Sequence, residues 1–106
     1  MVTDERCNRA LQYLAKTDED CAVLKTEVLR KEYVLDLAKK RVFLISDGNI
    51  EERKATAEVS GDVQGAIEAH LKATLAFEKV RAKRATEAMI VDTWRSVNAN
   101  RRSGNV

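Results

Sequence analysis

Proline is absent from this chain of 106 residues, glycine occurs four times, and the aromatic residues are one tryptophan, two tyrosines and two phenylalanines. Strands lean on aromatic and β-branched residues and need turn chemistry between them, so these shortages argue against a sheet. Two cysteines, Cys7 and Cys21, lack CxxC spacing and a nearby histidine. Each falls on an apolar stripe, which predicts reduced core thiols in a cytosolic protein.

The parts of a catalytic centre are also missing. There is one histidine, His70, and no glycine-rich phosphate loop, no nucleophile signature and no carboxylate–histidine pattern of a di-metal site. No enzyme, cofactor, metal ion or small-molecule substrate is expected. No apolar run approaches the ~20 residues of a membrane span, and "MVTDERCNRA" lacks a signal-peptide core. A membrane partner is therefore not expected, and a cytoplasmic location is.

What is present is charge: 34% of the residues are Asp, Glu, Lys or Arg, beside 44% hydrophobic ones. That mixture predicts long, solvent-washed helices in a single domain of all-α class. The net charge of +2 is unevenly placed, because residues 1–20 carry three basic and five acidic groups and residues 77–106 carry seven and three. The C-terminal third is the electropositive end.

Thr3 is a candidate N-cap, with Asp4 and Glu5 complementing the helix dipole, and Cys7, Ala10, Leu11 and Leu14 recur on one face. "TDED" repeats the start signal at Thr17, so either a short N-terminal helix ends there or one helix continues with a local adjustment; continuation is favoured. From Cys21 the series Leu24, Val28, Lys31, Leu35, Ala38, Val42 and Ile45 forms a lengthwise seam, widened by Tyr33, Val34, Leu37 and Leu44. Gly48 supplies a left-handed stop. Asn49 with Glu52 resembles a capping box for a short linker helix over residues 50–59, and Ser60 or Asp62 then caps a long helix from about Val63 to Asn98. Two long helices joined by about fifteen residues are most cheaply arranged as an antiparallel hairpin. The expected domain is 1–98, with a flexible basic tail at 99–106.

Projected at about 100° per residue, Val63, Ala66, Ile67, His70, Leu71, Thr74, Phe77, Ala85 and Ala88 share the core face of the last helix, and Lys79, Lys83 and Glu87 lie outside it. Ile90, Trp94 and Val97 fall almost opposite that face. They require a second apolar partner: a subunit of a homo-oligomer, with Trp94 as its anchor, or the chain's own segment Cys7 to Leu14. Lys31, Glu78 and Arg81 on or beside the seams predict paired or snorkelling charges, and His70 reads as a hydrogen-bonded core residue.

Lys79, Arg81, Lys83 and Arg84 cluster, and Arg95, Arg101 and Arg102 extend the positive region. Lys83, Arg84, Arg95, Arg101 and Arg102 are the candidate phosphate contacts; the competing reading is a charged terminus that complements its own dipole.

The stretches "GNIEERKATAEVSGDVQGA" and "VDTWRSVNANRRSGN" resemble small helical proteins of tailed bacteriophages and prophages, a family of similar length, covering most of this chain and associated with phage recombination genes. The resemblance implies a phage origin, a bacterial host cytoplasm and a DNA-metabolism context, with no site residues to carry over. The expected protein is a helical hairpin that dimerises into a bundle. Its expected role is non-enzymatic, in phage DNA recombination or replication, binding DNA or a phage or host DNA-processing protein through its basic end. The alternative is a protein-directed module, such as an inhibitor of a host defence system or nuclease, acting through Ile90, Trp94 and Val97.

Overall fold

A computed structural model describes residues 1–103. Among them it contains three helices and no strand: α1 (Asp4–Ile45), α2 (Ile50–Val59) and α3 (Gly61–Arg102). The all-α expectation holds. No helix among the described residues is long and apolar enough to cross a membrane.

Helix α1 starts where expected, because the Thr3 hydroxyl accepts the Arg6 amide at 3.0 Å and the Thr3 carbonyl accepts that of Cys7. No separate N-terminal helix forms. The Thr17 hydroxyl, the expected second cap, instead donates to the Tyr13 carbonyl one turn back at 2.7 Å. Bonding backwards leaves the ladder unbroken, and α1 runs through.

The stop after α1 also follows the sequence. Gly48 adopts φ 106°, a left-handed conformation that glycine enters without steric cost, and the Asn49 side chain accepts the Glu52 amide at 2.9 Å to cap α2. Ser60 closes α2 through its amide to Ala57, while its carbonyl accepts the Gln64 amide. One residue thus ends one helix and feeds the next, and α3 begins at Gly61, two residues before the expected Val63.

At its other end α3 runs past the expected Asn98 boundary to Arg102, with the Ser103 amide still bonded to the Ala99 carbonyl. Residues 99–102 of the expected tail are therefore helical and Ser103 is a turn, while its last residues, 104–106, lie outside the described residues.

The chain divides into two compact units, one combining Met1–Ala22 with the chain from Glu78 onward and the other spanning Val23–Phe77. In the first unit Cys7, Ala10 and Val91 are buried, and Val2, Leu14, Ile90 and Trp94 pack against them. In the second, Val42, Ala57 and Val63 are buried, with Leu35, Ala38 and Ile67 packed on them. The small Ala57 lets α2 approach closely.

Within α1 the seam is spaced as the sequence indicates: Leu24, Val28, Lys31, Leu35 and Ala38 are half-buried and Val42 is buried. Ile45 departs from it, being exposed at the helix end. Tyr33, Val34, Leu37 and Leu44 do not widen the seam, since all four are exposed. Leu71 and Ala85, expected on the core face of α3, are exposed as well.

Candidate interaction surfaces

The first unit holds a chain of polar contacts between the start of α1 and the end of α3. Their order is reversed along the two helices. The Trp94 indole Nε1 donates to Asp4 Oδ1 at 2.7 Å, Arg6 Nη2 donates to Glu87 Oε1 at 2.8 Å, and Arg84 donates to the Leu14 carbonyl at 2.7 Å, the Thr17 hydroxyl at 2.6 Å and the Asp18 carboxylate. Lys83 stands over the Tyr13 ring, 4.6 Å from its centroid.

These contacts reassign residues expected elsewhere. Arg84 is half-buried and spends its guanidinium on α1, whereas Lys83 rests over the Tyr13 ring and stays exposed. Glu87, expected on the outer side, is buried. Ile90 and Trp94 lie against the Cys7–Ala10–Val91 cluster, so the N-terminal segment, one of the two expected partners, covers them; Val97 is half-buried.

The hydrogen bond from Arg6, helped by the positive fields of Arg6, Lys83 and Arg9, holds the Glu87 carboxyl below the ordinary carboxylate range, against the opposing effect of burial. The same bond to Glu87 raises the Arg6 guanidinium. Glu87 Oε2 and Asn98 Nδ2 are buried without a protein hydrogen-bond partner.

The remaining three basic candidates face outward. Arg95 makes only a loose ion pair with Asp92, 3.9 Å away, and both side chains are largely exposed. Arg101 and Arg102 are exposed in the last turn of α3, where positive charge complements the dipole. Arg95 and Arg102 are seven residues apart, which puts them on one side of the helix at about 10 Å.

The polar partners Arg6 and Glu87 escaped the sequence reading for a geometric reason. One row of covered positions along α3 steps alternately by three and four: Val63, Ala66, His70, Ala73 and Phe77 in the second unit, then Val80, Arg84, Glu87, Val91, Trp94 and Asn98 in the first. A seam of period 3.5 drifts by ~20° per heptad on a straight projection. Ala66 and Trp94 are four heptads apart, so the indole is displaced by about 80° on that projection although it occupies the same seam. Counting heptads from Val63 was the signal that would have found Arg84 and Glu87.

The second unit presents a different surface. Leu29, Tyr33, Leu37, Leu44, Leu71 and Leu75 are all exposed. Leu29 and Tyr33 also wall a cleft of about 560 Å³ with Glu32, Asp36, Lys39 and His70, and a second, more apolar cleft of about 460 Å³ lies between Phe43, Leu44 and Ala57 with Lys39, Lys40 and Lys54 around it. Lys31, the charge on the seam, pairs with Glu27 at 3.6 Å. Glu78 and Arg81 in the first unit pair with each other at 3.1 Å. No group of three or more His, Cys, Asp or Glu side chains suited to a metal ion assembles among the described residues, and the cysteines are free thiols.

No protein-family model, curated protein or solved structure matches the chain.

Proposed function

We propose that the protein is a non-enzymatic helical assembly module of bacteriophage DNA recombination or replication, acting through helix–helix association. In this reading α1 and α3 fold back as an antiparallel hairpin, and two chains pair their hairpins into a four-helix bundle. One observation carries it: the 55 residues of the second unit bury only Val42, Ala57 and Val63 among them while leaving nine large apolar side chains of α1 and α3 open. A unit of that size with so small a core is marginal by itself, and association supplies the missing burial. Light scattering at micromolar concentration should return twice the 11.9 kDa chain mass. A monomer persisting to the highest attainable concentration would end this reading.

A second reading is nucleic-acid contact, favoured by the outward placement of Arg95, Arg101 and Arg102. Arginines that neutralise phosphates release counterions, so a gel-shift series should show affinity falling with salt on every DNA sequence. Replacing Arg101 and Arg102 with alanine should flatten that slope. Absence of any shift at low salt eliminates the reading and leaves the assembly role intact.

A further inference from the structure

We infer that a second copy of this chain docks antiparallel, about a two-fold axis at Tyr33, on the outer face of α1 in the second unit. The inference rests on the self-association proposed above and names the surface that mediates it.

Thr26, Leu29, Tyr33, Leu37 and Lys40 share one side of α1, roughly half a turn from the seam that runs through Lys31 and Leu35. Their spacings are three, four, four and three. That sequence of steps reads the same in both directions about Tyr33, so an antiparallel copy turned about that residue sets Leu29 against Leu37, Leu37 against Leu29 and Tyr33 against its own counterpart. Leu44 falls eleven residues beyond Tyr33, a repeat that keeps a stripe almost straight along an α-helix.

Area points to the same occupant. Leu29, Tyr33, Leu37 and Leu44 are 56%, 64%, 38% and 76% exposed, and a side chain of this kind offers on the order of 100 Å² of apolar surface. With Val34 and the alkyl stem of Lys40 added, the face supplies several hundred Å² per copy. That equals the largest apolar patch of a typical monomer, about 300–600 Å² and often functional, and it supplies a large part of the about 800 Å² that each partner of a stable complex contributes.

Charge along the edge is mixed and favours no polyanion. Glu32, Asp36 and Lys39 line one edge of the face, and Lys40 is already bonded to Asp36 at 2.9 Å. An edge carrying both signs tolerates its own copy and would repel nucleic acid in part.

The test uses the full chain. Tyr33→Asp should halve the mass measured by light scattering while circular dichroism stays helical. Tyr33→Cys under mild oxidation should give a disulfide-linked dimer on a non-reducing gel, with wild type, whose native thiols are buried or half-buried, as the control. If Tyr33→Asp loses its helicity, the crosslink decides alone. A wild-type chain that is monomeric throughout overturns the inference together with the self-association reading. A dimer that survives Tyr33→Asp, with no Tyr33→Cys crosslink above the wild-type background, overturns this face and leaves self-association standing.

Discussion

The indole nitrogen of Trp94 and the carboxylate of Asp4 are joined at 2.7 Å across ninety positions of sequence. The bond ties the first turn of α1 to the end of α3 and gives the lone tryptophan a polar tip as well as an apolar bed. Tryptophan used this way satisfies its single N–H while its ring covers Cys7 and Ala10.

Trp94→Ala should therefore destabilise the chain by about 3 kcal/mol, the lower end of the range for truncating a packed aromatic. Trp94→Phe should lose less than half as much, since the ring body stays. Urea unfolding followed by circular dichroism measures both. Equal losses would mean that the hydrogen bond, and not the ring, dominates.

Acid should weaken the first unit through Glu87. Its folded carboxyl lies below the ordinary carboxylate value because Arg6 bonds the ionised form. The folded state therefore binds fewer protons than the unfolded one, and the stabilisation is complete above the ordinary value, about 4.3, and is lost as pH falls through the lower folded value. Melting temperature followed from pH 6 down to pH 3 should drop in wild type, and Glu87→Gln should remove part of that slope while lowering the melting temperature at neutral pH. An unchanged slope would show that other carboxylates carry the effect.

The two classes of arginine should separate cleanly. Arg84→Ala strips three contacts from α1 and should lower the melting temperature by several degrees, whereas Arg101→Ala and Arg102→Ala, on an exposed last turn, should change stability by no more than about 0.5 kcal/mol. Differential scanning calorimetry of the three variants tests the division.

The corner between α1 and α2 depends on two small residues. Gly48→Ala forces a β-carbon into a left-handed conformation and against Glu52, at a cost of about 1–2 kcal/mol. Asn49→Ala removes the cap that accepts the Glu52 amide, at about 1 kcal/mol. Chemical denaturation of each variant checks both figures.

Much of this was legible in the residues. The α1 seam from Cys21 to Val42, the Gly48 stop and the Asn49 cap follow from spacing and local chemistry, because each depends on neighbours within a turn or two. The helix continues through Thr17 as favoured, since a hydroxyl inside a helix has a carbonyl four residues back within reach. Arg84 and Glu87 were misplaced because a charge on a seam looks like a charge on a surface until its partner is known. Here the partners, Thr17, Asp18 and Arg6, lie more than sixty positions away.

Those polar seam positions restrict how the start of α1 and the end of α3 can slide past one another. A slip of seven residues would restore every apolar step of the repeat yet separate Arg6 from Glu87 and Arg84 from Asp18, stranding a buried carboxylate opposite hydrocarbon. The alignment is keyed by its ionic teeth.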